Sequence, residues 1–509
     1  MDSVQVVGPA PAAGAGWRGR GARLLVLAAM LLSFGNAAAY IAYASNPLAV
    51  ADAWYFINAF LAKAYDGGFD LVDLYVKRPG ADHAQPLQKL LLLANARWFG
   101  LDFVVESYMG LAMALATFLA LWRITSVDAR ARGLDPWLHA ALCGAMAGFL
   151  VSLNAGSVFN WSLVTLGYLP HLFLVLAAAA CWRSLHGRGS GMFALAFGLM
   201  AFTLDNMAMI TGAALLASAA LACGREKLPP RRLALVAALV AAPLVAYAMA
   251  SRFYLHAGLA VDPGGAPVSL TLLLSHAPKM LTGVLASSVA YPLPLQFYLD
   301  ATGASKVEGV LGVALALAHL WFWWAALRKP WNRTMFVAVS MMLTLYASVA
   351  GILYGRVPTF GPEYIYQPRY VLTYQMGPVA LILMLLGTLR PPGSAGTRAL
   401  AAALLCATLA LQVMLSRYSW DEARYIQGYI HTMARQMYLM GLDPEAPLAS
   451  CVPNLSVCEY PVAERVQAIE FLRDHHLNAY SPSVLRRYRL EAVASAPHGY
   501  RVVERPESQ

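Results

Sequence analysis

Asp52, Asp82 and His83 are the residues of this chain best suited to moving a proton. A carboxylate held at the edge of a bilayer can deprotonate or orient a hydroxyl or amine, because partial burial raises its pKa towards a useful range. Asp52 stands in Ala51-Asp52-Ala53-Trp54-Tyr55, and Asp82-His83 opens the segment Asp82-His83-Ala84-Gln85-Pro86-Leu87-Gln88-Lys89. A second group is cationic. Arg369, Arg356, Lys279 and Lys89, with Tyr370 beside Arg369, suit an anionic phosphate at headgroup level. Asp205-Asn206 closes an apolar run, and an acid there is expected to face the protein interior, since lipid would penalise it. Each residue also has a plain structural role open to it. Asp52 suits the N-cap of a helix over 54–64, and Asp82-His83 a surface turn after Pro79-Gly80. Asp70 and Asp73 read as a solvated face. An arginine at a span end can simply snorkel to lipid, and Lys89 can simply anchor the interfacial helix that carries it.

The elements that must position these residues are apolar. The chain of 509 residues is 59% hydrophobic and 13% charged, whereas soluble domains run nearer a quarter charged. Repeated apolar runs bounded by charge predict transmembrane helices, because lipid offers the backbone no partner but itself. The fold class is therefore an all-α polytopic membrane protein with about eleven transmembrane helices. They are expected near 24–44, 103–123, 136–154, 161–182, 190–205, 207–223, 233–251, 307–327, 334–354, 371–389 and 399–416. Asp205-Asn206 alternatively marks a polar break in a re-entrant pair. The basic groups Arg123, Arg130 and Arg132; Arg183 and Arg188; Arg225 to Arg232; Arg328 to Arg333; and Arg390 with Arg398 fall in alternate short loops, which the positive-inside rule places in the cytoplasm. The net charge of +10 is thus assigned to orientation and not to nucleic acid.

Three divisions follow: a disordered cytoplasmic N-terminus (1–23), a transmembrane domain (24–416) whose first outer loop spans 45–102, and an outward C-terminal region (417–509) with helices over 422–440 and 462–475. Pro86–Gly100 carries an apolar ridge beside Gln88, Lys89, Asn95 and Arg97, the pattern of a helix lying in the interface. Residues 252–306 are expected to hold another, and 355–370 form a Pro/Gly-broken aromatic stretch. Cys451 and Cys458 flank a turn at Pro453-Asn454 and are expected to pair, which requires an oxidising compartment. Cys143, Cys181, Cys223 and Cys406 read as inert small hydrophobes. The Ala/Leu/Arg-rich composition suggests a bacterial inner-membrane protein with its C-terminus in the periplasm.

An acid soon after the first span, an acid-rich outer loop, an interfacial helix and many further spans make a chain that resembles the GT-C class of integral-membrane glycosyltransferases. Asp52 stands where these enzymes keep an essential acid. Asp82 to Leu90 is similar to the His-Pro-Pro-Leu-x-Lys segment of the protein mannosyltransferase and aminoarabinose transferase branch, with Gln85 for the first proline and His83 one place earlier. Arg369-Tyr370 is similar to a basic site near lipid phosphate in related bacterial members. The resemblance implies an inverting transferase that moves a sugar from a polyprenyl-phosphate donor to a cell-envelope glycan or glycolipid, such as lipopolysaccharide. Asp52, Asp82 and His83 would be catalytic; Arg369, Arg356, Lys279, Lys89 and Tyr370 would hold the lipid phosphate; Asp205 and Asn206 would bind sugar. No cofactor is expected, and a divalent cation, though compatible, is not favoured, for the acids form no compact cluster. The expected partners are the lipid-linked donor, the acceptor and membrane lipids. Two alternatives stand beside this reading: a polymerase or ligase of lipid-linked glycans with its essential residues at Arg356–Tyr370, and a non-enzymatic transporter or flippase.

Overall fold

The computed structural model describes residues 15–51, 53–76, 84–254, 270–389, 394–445 and 451–490. Asp52, Asp82 and His83 lie outside them. The described residues contain helices and turns and no strand. The main helices are α1 (Ala15–Ala44), α2 (Pro86–Phe99), α3 (Phe103–Arg132), α4 (Pro136–Leu150), α5 (Tyr168–Leu185), α6 (Ser190–Leu204), α7 (Asn206–Glu226) and α8 (Pro230–Tyr254). After them come α9 (Leu270–Ser287), α10 (Ala301–Arg328), α11 (Arg333–Gly355), α12 (Met376–Thr388), α13 (Ala395–Leu442), α14 (Val462–Asp474) and α15 (Pro482–Tyr488). Nine helices among the described residues are long and apolar enough to cross a membrane. The protein is a multi-pass, all-α membrane protein.

Two of the expected spans are shorter than the sequence suggests. α4 and α6 have 15 residues each, about 22 Å of helix against a hydrocarbon core near 30 Å. Leu138–Leu150 of α4 is buried on every side. α1 and α12 pack along it, and Leu405 and Thr408 of α13 lie against Gly144 and Gly148. A helix that is apolar all round is placed by its neighbours and not by lipid. α6 ends at Asp205, whose φ of +54° breaks the helix before α7 begins at Asn206.

The chain forms two compact units. The first comprises residues 1–45, 70–90 and 104–424, the second 46–69, 91–103 and 425–509. In the first unit α11 packs against α12, α7 and α5, while α10 packs on α9. Gly312 makes the latter approach possible, since a Cβ there would meet the Thr282 carbonyl at 2.9 Å. One end of this unit collects the basic short loops. Arg132 Nη1 and Nη2 donate to the carbonyls of Leu386 (2.6 Å), Gly387 (2.9 Å) and Leu389 (3.1 Å), closing the C-terminus of α12. Asp128 pairs with Arg333 at 3.3 Å and accepts the Thr334 amide at 2.8 Å.

The second unit joins the C-terminal region to pieces of the first outer loop. The boundary expected at 417 falls inside α13, one uninterrupted helix of 48 residues. Its residues from Tyr425 onward join α14 and α15 with pieces of the first outer loop. Asn478, fully buried at φ +53°, makes the join. Its Nδ2 donates to the carbonyls of Pro47 (3.0 Å) and Leu101 (2.8 Å), and its Oδ1 accepts the Ala49 amide (3.1 Å). Its own amide donates to the Gly100 carbonyl at 2.7 Å.

Candidate functional site

In the first unit, the best-defined polar arrangement is the aromatic strap between α11 and α12. Pro362 and Pro368 each start a tight 3-10 turn, Pro362–Tyr366 and Pro368–Tyr370, because a proline ring presets the first helical φ. Gly361 at φ +85° supplies the reversal before them. Tyrosines staple the strap to its neighbours. Tyr291 donates to the Tyr366 carbonyl (2.5 Å), Tyr374 to the Ile365 carbonyl (2.7 Å), and Tyr366 to the Lys279 carbonyl (2.8 Å). Tyr291 is itself fixed, since its amide donates to Oδ1 of the fully buried Asn154 at 2.6 Å.

Arg369 sits at the far end of this strap. Its guanidinium lies 5.4 Å from the ring centres of both Tyr364 and Tyr370, and Nη2 donates to the Tyr364 hydroxyl. Phe360 stacks on Tyr364 at 4.5 Å from the other side of the strap. The Arg369 Nε is buried without a hydrogen-bond partner. A guanidinium held against two rings keeps a fixed orientation. Arg356 is half-buried and near enough to act electrostatically on Tyr370. The strap thus brings Arg356, Arg369 and Tyr370 together. Lys279 is exposed and already paired with Glu363 at 2.8 Å, and that carboxylate holds its ammonium above its ordinary range. An incoming phosphate would have to displace Glu363 from it.

Lys89, which the sequence offers either as a phosphate contact or as a plain anchor of its helix, is held inside the protein. It is 2% exposed, and its Nζ donates to the carbonyls of Asp73 (2.8 Å), Leu74 (3.1 Å) and Val76 (2.6 Å). Burial pushes the ammonium down to about 8, opposed by the carboxylates of Asp73 and Asp205. Asp73, expected on a solvated face, bonds the Asp70 amide at 2.8 Å within the same turn. Asp205, expected to face sugar, is also engaged inside the protein. It is 3% exposed; Oδ2 accepts the Ala84 amide at 2.5 Å, and Oδ1 accepts the Tyr247 hydroxyl at 2.6 Å. Tyr75 packs on Tyr247 with ring centres 6.1 Å apart. This latch therefore fixes the residue directly after Asp82-His83. Tyr247 had no signal in the sequence, for a lone tyrosine in an apolar run reads as membrane-belt filler. Asn206 starts α7.

The flanks of Asp52 belong to the second unit. The Ala51 amide, at φ +46°, donates to the Asn454 carbonyl at 3.0 Å. Asn454 lies in the loop closed by the Cys451–Cys458 disulfide, whose Cα atoms are 6.2 Å apart. Trp54 is fully buried just after Asp52. The loop bearing the first candidate acid is accordingly gripped by the C-terminal region. Among the described residues no three His, Cys, Asp or Glu side chains converge as a metal site. Comparison with known protein families, with characterised proteins and with solved structures finds no match to this chain.

Proposed function

We propose that the protein transfers a sugar from a polyprenyl-phosphate donor to a cell-envelope glycan or glycolipid on the periplasmic side of a bacterial inner membrane. One observation carries the reading: the Arg369 guanidinium is held against the rings of Tyr364 and Tyr370 where the span Pro368–Thr388 begins. A lipid phosphate leaving the sugar gains charge at this level, and a pre-oriented guanidinium stabilises it. Arg356 adds charge from the other end of the strap. The acceptor hydroxyl attacks the anomeric carbon, the bond from that carbon to the phosphate oxygen breaks, and a carboxylate takes the hydroxyl proton. Asp52 is the proposed base, and Asp82 with His83 is the alternative for that role. The Asp205–Ala84 latch supports this scheme by holding the segment that carries Asp82-His83, and the Cys451–Cys458 loop supports it by holding Ala51. The disulfide agrees with an oxidising compartment.

The test is transfer in detergent-dispersed membranes supplied with lipid-linked sugar. Arg369→Ala is expected to lower transfer roughly a hundredfold or more, and Asp52→Asn to abolish it, both at normal expression. Normal transfer by both variants would end the reading. The strap also favours a second reading, a polymerase or ligase of lipid-linked glycans, because both arginines and the fixed aromatic turn lie late in the chain. Alanine scanning separates the two. Loss confined to Arg356–Tyr370, with Asp52→Asn fully active, selects the polymerase or ligase.

A further inference from the structure

The second unit contains a recess unrelated to the strap. Ala64, Tyr65, Leu93 and Arg97 line a space of about 340 Å³, within the range of small-ligand sites. Ala64 and Leu93 are its aliphatic lining residues, and Arg97 and Tyr65 are the two whose side chains carry polar groups. Among the described residues neither has a hydrogen-bond or ion-pair partner. Tyr65 is braced by ring contacts to Phe471 (5.5 Å) and His475 (4.8 Å), so the phenol is held and not free to turn away. Burial raises the Tyr65 pKa, with Arg97 opposing, which keeps the hydroxyl a donor at neutral pH.

Height along the membrane normal narrows the ligand. Arg97 is followed by Trp98 and Phe99, 74% and 47% exposed, and then by only Gly100-Leu101-Asp102 before the span α3. Exposed Trp and Phe beside the start of a span belong at the headgroup layer. A cationic fork and a phenol donor over an apolar floor, at that height, match a phosphate with an acyl or glycerol body attached. We propose that this recess binds the phosphate headgroup of an anionic membrane lipid, with Arg97 and Tyr65 on the phosphate and Leu93 and Ala64 against the glycerol and upper chain. A soluble phosphate offers the same anion without the apolar body, and the test separates the two.

The full chain in detergent is titrated with phosphatidylglycerol, phosphatidylcholine and inorganic phosphate, and retained lipid is counted by native mass spectrometry. Phosphatidylglycerol is expected to be held in preference to phosphatidylcholine, whose choline cation opposes Arg97. Arg97→Gln removes the charged donor and should weaken phosphatidylglycerol about tenfold. Leu93→Trp keeps the charge but fills the recess, and should weaken it similarly; both variants should melt with the wild type. An arginine merely snorkelling to lipid would respond to Arg97→Gln alone, so unchanged retention by Leu93→Trp overturns the proposal. Unchanged retention by Arg97→Gln does so too. If inorganic phosphate displaces the lipid in an Arg97-dependent way, the occupant is a soluble anion and the lipid assignment falls.

Discussion

Replacing Asp205 by Asn should release the first outer loop without disturbing the helix break that carries it. The break needs φ of +54°, a region that Asn tolerates as readily as Asp, so backbone strain is held constant. What changes is the acceptor count. The carboxylate takes the Ala84 amide on one oxygen and the Tyr247 hydroxyl on the other, whereas the amide side chain has one oxygen and turns an NH2 towards the second donor. One buried donor is then left unmatched, and a hydrogen bond to a charged group, worth about 1.5–3 kcal/mol, is lost. Local opening at Ala84 should therefore become easier by roughly ten- to a hundredfold. The assay is amide hydrogen exchange at Ala84 and its neighbours on the detergent-solubilised chain, under conditions where exchange follows the opening equilibrium. Tyr247→Phe removes the other partner and leaves one carboxylate oxygen bare, for a smaller loss. In the double variant the two effects should fall short of their sum, since both break one arrangement. Unchanged Ala84 exchange in Asp205→Asn, or strict additivity in the cycle, would refute the latch.

Lys89 gives a pH signature. Its ammonium ionises at 10.5 when free and at about 8 in the fold, so between those values the unfolded chain holds the extra proton and stability should rise with pH. Lys89→Met should flatten that rise and, below it, cost about 1–3 kcal/mol for each carbonyl left bare, read by thermal melts across the pH range. Asn478→Ala should destabilise the second unit by about 3 kcal/mol or more, because three side-chain bonds go and alanine is strained at positive φ. Asn478→Asp, which keeps the acceptor for the Ala49 amide but loses both donated bonds, should recover only part of that loss in the same melt. An alanine variant that melts with the wild type would remove Asn478 as the join.

The sequence by itself determined the class of molecule. Its apolar runs and alternating basic loops need no partner to be read, because the requirement that lipid imposes on the backbone acts on each run separately. Arg356 and Arg369 were marked by the same local logic, a cation beside a span end. What only the tertiary structure decided was which polar groups are already occupied. The sequence pointed Asp205 inward and left Lys89 open to two roles, but not their partners: Lys89 donates to the carbonyls of Asp73, Leu74 and Val76, and Asp205 accepts from Ala84 and Tyr247. Hydrogen bonds such as Asp205 to Tyr247, or Asn478 to Pro47 and Leu101, join residues far apart in the chain. Short patterns cannot announce them, because no periodicity relates their partners. The division into units followed the same rule: α13 is one continuous helix of 48 residues, and its residues from Tyr425 onward join pieces of the first outer loop that lie far away in the chain.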